Sequence, residues 1–277
     1  MRIDEETTQT AASDRPQDDG AGNERARASA ADIYERVKHD ASEELGRPVP
    51  SLIFSGLFAG ACVGFGAVAS AAASTALAGH HDAKLVGAIF FPIGFIVVII
   101  GRAQLFTENT LYPVTLVLDE RRHLLATLRL WIVVLAANLI GAMLFALLIT
   151  KTSAIAPDVA AAVAQAGHKA TVGSWASFFW SAVLGGWAIA LVAWLIQSGT
   201  AVIGQIALIW ALVFLFGVLQ LDHAVSTTIE VMCATLRSEV QVGHALAWFA
   251  VVLLGNIAGG VLITALLNYG QVRAGGD

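Results

Sequence analysis

From Ser51 onward the chain is a series of apolar runs separated by short polar stretches. Each run is long enough to cross a bilayer as a helix, which takes ~20 apolar residues. The first, SLIFSGLFAGACVGFGAVASAAASTALA, ends before GHHDAK, and the second runs from about Leu85 to Leu118 and stops at DERRH. The third is LLATLRLWIVVLAANLIGAMLFALLI, up to Lys151. A polar linker containing Pro157 and Asp158 leads to the fourth, FFWSAVLGGWAIALVAWLI. The fifth extends from near Val202 to about Met232, and the sixth is HALAWFAVVLLGNIAGGVLITALLNYG. Upstream of them, Ile33, Val37, Ala41 and Leu45 recur every four residues and share one helical face. Gly46 and Pro48 supply a stop for that helix.

The pattern therefore predicts an all-α polytopic membrane protein. A polar, disordered segment (1–28) precedes an amphipathic helix (29–47), a six-span channel domain (48–270) and a short tail (271–277). The first residues lack an apolar core of the kind a cleavable signal peptide needs, so the first span is expected to direct insertion.

Two spans do not read as plain helices. The second covers about 34 residues, ~51 Å at the α-helical rise, against a hydrocarbon thickness of ~30 Å. Midway it carries GRAQLFTENT (101–110), with Arg102, Gln104, Thr107, Glu108 and Asn109. The fifth is nearly as long and carries GVLQLDHAVSTTIE (217–230), with Asp222, His223 and Thr227. Lipid cannot satisfy free backbone groups, so such stretches belong where a helix breaks and its loop is wrapped in protein. They are the middle members of spans one to three and four to six. Paired interruptions of this kind predict an inverted 3+3 repeat with its site near mid-membrane.

Composition sharpens this picture. The chain is 57% hydrophobic and only 13% charged, where a soluble domain carries about a quarter charged residues. The net charge of −5 reflects acids crowded near the start, among them Asp4, Glu5, Glu6, Asp14, Asp18 and Asp19. No basic run suggests nucleic acid. Cys62 and Cys233 sit in apolar stretches without metal-ligand spacing and read as buried small hydrophobes, and no cofactor is expected. No metal cluster, nucleophile elbow or phosphate loop points to an enzyme. Arg36, Lys38, Arg47, Arg121, Arg122, Arg129 and Arg273 fall on one side of the topology. Lys84, Lys151, Lys169 and Arg237 fall on the other, which places both termini in the cytoplasm, in a bacterial inner membrane.

LFTENT and LDHAVSTT, with AGACVGFG in the first span, GHKA before the fourth and LLGNIAGGVL in the sixth, resemble the formate–nitrite transporter family. The resemblance spans about residues 48 to 270. It implies a homopentameric six-span channel for small monovalent weak-acid anions such as formate or nitrite, with proton coupling at a central histidine. By position, His223 matches that histidine and Thr107 the loop threonine facing it. Phe91, Phe95 and Phe216 fall at the outer constriction, Leu105 at the inner one, and Lys169 in the outer vestibule. The chain departs from the family in the flanking polar set. Gly186 and Thr227 stand where asparagines are familiar, Gln104 replaces a frequent acid, Glu108 replaces a small residue, and Arg102 is an added charge.

Read from the residues, Phe91 and Phe95 are four apart and share a helical face, while Asp222 and His223 are neighbours and do not. Arg102, Glu108, Asp222 and Glu230 are expected to pair with one another, Arg102 with Asp222 among them, because unpaired charge at this depth is costly. Two rival functions stand beside the anion channel: a pore for water or small neutral solutes, and a membrane sensor or scaffold acting through the N-terminal segment.

Overall fold

The computed structural model describes residues 28–199 and 201–275, so most of the polar segment expected at 1–28 lies outside the described residues. The fold is all helical. The expected amphipathic helix is α1 (Ala30–Gly46), opened by a capping box in which Ser29 accepts from the Asp32 N–H and Asp32 reaches back to the Ser29 backbone. Its buried face is Ile33, Tyr34, Val37, Ala41 and Leu45.

Six helical stretches are long and apolar enough to cross a membrane: Val49–Ala76, Ala83–Ile100, Leu124–Lys151, Trp175–Ile196, Val202–Leu219 and Val242–Ala274. The first consists of α2 (Val49–Cys62) and α3 (Gly64–Ala76), and the second of α4 (Ala83–Phe90) and α5 (Ile93–Ile100), parted at Phe91–Pro92. After Ile100 the chain leaves helical conformation, passes a 3₁₀ turn at Glu108–Thr110, and resumes as α6 (Tyr112–Glu120). α7 (Leu124–Lys151) and α9 (Trp175–Ile196) are continuous. α10 (Val202–Leu219) stops inside the polar stretch 217–230, and α11 (Ser226–Leu236) starts again within it. α12 (Val242–Ala258) continues through a π-helical stretch, Gly259–Ala265, into α13 (Leu266–Ala274).

The linker at Pro157 differs from the sequence expectation. It is a helix, α8 (Pro157–Ala170), with Ala160, Val163, Ala164 and Gly167 buried on one face. Gly167 lies against the backbone of Glu230, where a Cβ would approach the carbonyl oxygen to 2.0 Å. The close approach of α8 to α11 therefore depends on that glycine.

Two helix crossings organise the rest, α2 against α7 and α9 against α12. Both are close backbone contacts made through small residues, the usual device where lipid supplies no hydrophobic drive. A Cβ on Gly60 would lie 2.1 Å from the Asn138 carbonyl oxygen, and one on Gly186 would lie 2.1 Å from that of Asn256. Gly186 is thus a packing requirement of this chain, and an asparagine there would collide with α12.

α1 packs on α6 and α13 and is tied down by polar contacts. Lys38 reaches Asp119 at 2.9 Å, Arg273 pairs with the same carboxylate, and Arg129 donates to the Leu45 carbonyl oxygen at 2.5 Å.

Candidate functional site

Both non-helical stretches begin in the same way. Arg102 follows the end of α5 with φ 52° and Gln220 follows α10 with φ 54°, left-handed residues that turn the chain out of its helix axis. For a residue with a Cβ this conformation costs roughly 1–2 kcal/mol. Something must therefore hold the loops, and in each it is one serine and one asparagine. Gln104 N–H donates to Ser55 Oγ at 3.0 Å, and Asp222 N–H donates to Ser181 Oγ at 3.0 Å. Phe106 N–H donates to Asn138 Oδ1 at 2.9 Å, and Ala224 N–H donates to Asn256 Oδ1 at 2.8 Å. The Asn138 amide donates to the carbonyls of Gly56 and Gln104, and the Asn256 amide to those of Ala182 and Asp222. Each asparagine thus clamps its loop to a neighbouring helix and satisfies the buried backbone groups that a broken helix releases.

The two loops meet at Thr107 and His223, both fully buried, with Thr107 Oγ1 2.7 Å from His223 Nε2. The far side of the imidazole fixes its tautomer. Nδ1 accepts from the amides of Val225 at 3.2 Å and Ser226 at 3.0 Å, the cap and the first residue of α11. The ring proton therefore resides on Nε2 and is donated to Thr107, which leaves the threonine hydroxyl proton free to donate elsewhere. Thr227 Oγ1 accepts from His223 N–H at 3.0 Å. Thr227 thus supports the backbone of the histidine without touching its ring.

On one side the histidine is walled by aromatics. Phe95 and Phe216 stand edge-on to it at 5.1 and 6.0 Å between centroids, 6.0 Å from each other, and Phe91 continues the wall 6.1 Å from Phe95. The four-residue spacing of Phe91 and Phe95 does place them together. Leu105, fully buried, precedes Thr107 on the loop and lines a cavity of about 250 Å³ that opens beside α1. Arg102, Gln104, Glu108 and Asn109 line the same cavity, joined by Asp40 and Glu44 of α1 and by Tyr112. Asn109 donates to Gln104 Oε1 at 2.9 Å and to the Leu105 carbonyl oxygen at 3.4 Å.

The expected mutual pairing of four charges does not form. Arg102 pairs with Asp40 at 3.4 Å, a partner on α1, and Gln197 donates to the same carboxylate at 2.7 Å. Among the described residues Glu108, Asp222 and Glu230 have no ion-pair partner within 4.0 Å. Lys169 is exposed near the end of α8 and is not bonded to either loop. Among the described residues, the grouping with metal-ligand character is His39, Asp40 and Glu43 on α1. His39 and Glu43 are exposed and Asp40 is already engaged, which is not the build of a cofactor site. Sequence reasoning missed Ser55, Ser181, Asn138 and Asn256. The signal was present, since NLIG (138–141) and NIAG (256–259) recur in the third and sixth spans.

Residues 31–270 match the family described as Formate/nitrite transporter. The chain belongs to this family. As a member of the formate/nitrite transporter family it is a membrane channel or transporter and not an enzyme. It is 28% identical to Inner membrane protein YfdC of Escherichia coli (strain K12), over 87% of this chain and 78% of the relative. It is also 28% identical to a Probable formate transporter of Methanothermobacter thermautotrophicus, over 80% of this chain and 89% of the relative. In fold it is similar to a solved FNT family ion channel, with a TM-score of 0.74, 20% identity, and 88% and 99% of the two chains covered. A solved pentameric formate channel with formate bound gives a TM-score of 0.67 at 18% identity, over 82% of this chain and 98% of that one.

Proposed function

We propose that this member of the formate/nitrite transporter family conducts small monovalent weak-acid anions of the formate or nitrite type through each protomer. The path passes Phe91, Phe95 and Phe216, reaches the Thr107–His223 pair, and leaves past Leu105 into the cavity beside α1. In this reading the chain is an inverted 3+3 repeat whose second and fifth spans are interrupted, and the repeated serine–asparagine clamps support it. The observation that carries the reading is the 2.7 Å contact between Thr107 and His223, buried where the two loops meet and flanked by apolar residues. Neutral imidazole and hydroxyl donors can greet an anion without trapping it, and aromatic walls resist hydrated ions by dewetting. The two amides on Nδ1 argue against a second proton on this ring, so His223 acts in this reading as a hydrogen-bond donor.

A homopentamer in a bacterial inner membrane, with both termini cytoplasmic, completes the proposal. It is supported by the pentameric formate channel of like fold, the inner-membrane relative and the distribution of Lys and Arg. Lys169, exposed, would enrich anions at the outer mouth.

The test is flux of formate and nitrite into proteoliposomes. Wild type should carry both, and Thr107→Val, which keeps the shape but removes the hydroxyl, should slow them about tenfold or more, as loss of a hydrogen bond to a charged group does. Equal rates in the variant would refute the role of the pair. Insensitivity to membrane potential and pH would select a neutral-solute pore instead.

A further inference from the structure

The cavity beside α1 carries a group that the pore reading leaves unused. Glu108 is 8% exposed, lines this cavity next to Leu105, and its carboxyl makes no hydrogen bond or ion pair among the described residues. The other acids of the cavity are engaged, Asp40 by Arg102 and Gln197 and Glu44 by Arg47 at 3.0 Å. The chain thus places one unpartnered carboxyl in the cavity that Leu105 also lines, on the exit of the proposed path.

We propose that Glu108 is a proton-exchange site for the permeating weak acid, which deepens the function proposed above and rests on it. An anion entering the cavity takes the proton of Glu108. The O–H bond at the glutamic acid breaks, an O–H bond forms on the solute, and Glu108 is left as carboxylate until it regains a proton from the adjoining solution. The solute, now a neutral acid, meets the throat of Leu105, Phe95 and Phe216 without a charge to desolvate. Run in reverse, an emerging neutral acid gives its proton to the Glu108 carboxylate and leaves as the anion.

The groups that face Glu108 suit an exchange site. α1 contributes Asp40 and Glu44, the loop contributes Arg102, and α6 contributes Tyr112. Gln197, just after α9, and Gln205 of α10 add only uncharged groups to the polar lining. An ionised Glu108 would be a third carboxylate in a cavity lined by one guanidinium. Such a site is poor at retaining an anion and well suited to passing a proton.

The experiment compares formate uptake driven by a pH gradient with uptake driven by membrane potential, in proteoliposomes of wild type, E108Q and E108D. In E108Q, which keeps the shape but cannot exchange a proton, the ratio of the first rate to the second should fall about a hundredfold, the low end of what a positioned acid–base group contributes. E108D should restore most of it. An unchanged ratio in E108Q overturns the proposal and leaves the pore reading intact. Wild type that moves formate under neither drive overturns both. Independently of transport, an infrared band of a protonated carboxyl that shifts on adding formate should be present in wild type and lost in E108Q. Its absence from wild type also overturns the assignment.

Discussion

Asn138 and Asn256 hold equivalent places in the protein. Each accepts from a loop N–H, Phe106 at 2.9 Å and Ala224 at 2.8 Å, and each returns its amide protons to two carbonyls. Both side chains are fully buried. Asn138→Ala should leave the Phe106 N–H and the Gln104 carbonyl without partners and take from the Gly56 carbonyl the bond it makes beyond its helix, at a cost of about 2–4 kcal/mol. Asn256→Ala should cost a similar amount. Unfolding of the detergent-solubilised protein measures both, and a loss under ~0.5 kcal/mol in either would contradict the clamp.

The helix crossings make a sharper prediction because only backbone is involved. Gly60→Ala and Gly186→Ala each place a methyl about 2.1 Å from a carbonyl oxygen of the opposing helix. Neither helix can yield without parting the crossing, so each variant should lose about 1–3 kcal/mol. Gly186→Asn should lose more. By contrast Gly243, with nothing within 4 Å, should accept alanine without loss.

Phe95→Ala removes the ring that touches Phe91, Phe216 and His223 together. Stability should fall by about 3–5 kcal/mol, the usual cost of emptying a buried phenylalanine site. If Phe95 lines the proposed path, the molecules that remain folded should admit more water there and show a raised passive leak. Stopped-flow swelling of proteoliposomes reads the leak directly.

The α1 helix has a pH dependence of known sign. Burial pulls the Lys38 ammonium toward the neutral form, but hydrogen bonds to Asp119 and Glu35 outweigh it and hold its pKa above the ordinary lysine value. A raised folded value means the contribution is fully present below the unfolded pKa and is lost as pH climbs through the folded one. Glu44 is also raised, chiefly by burial against the opposing pull of Arg47. Its contribution is present only at acid pH and is lost as pH rises above the ordinary carboxylate range. Docking of α1 should therefore weaken in two steps, one above the usual carboxylate range and one above the usual lysine range. Asp119→Asn should shrink the second step, and limited proteolysis after Arg36, with a protease active at alkaline pH, measures it.

The hydropathy of the chain made the six apolar stretches legible, and the polar clusters at 101–110 and 217–230 marked where helix would stop. Periodicity also gave the buried face of α1 at Ile33, Val37, Ala41 and Leu45, and the shared face of Phe91 and Phe95. What stayed hidden was partnership over distance. Arg102 found Asp40 instead of Asp222 because α1 folds back beside the first loop, a tertiary fact with no local signal. The helix at 157–170 was obscured by its Pro157 and Asp158, which mark a helix start as readily as a linker. Asn138 and Asn256 sit in otherwise apolar runs, where one polar residue barely alters a window average, and only comparison of the two runs exposes them.

The bond between Thr107 and His223 is the one side-chain hydrogen bond that joins the two loops among the described residues. Every other tether binds a loop to its own surrounding helices. Parting the loops by an ångström therefore sacrifices a single side-chain hydrogen bond, at about 1–3 kcal/mol for the buried donor left unpaired, while both anchorages stay whole. Breathing between the loops thus turns on one bond, and on the proposed path a solute that replaced it would recover its cost.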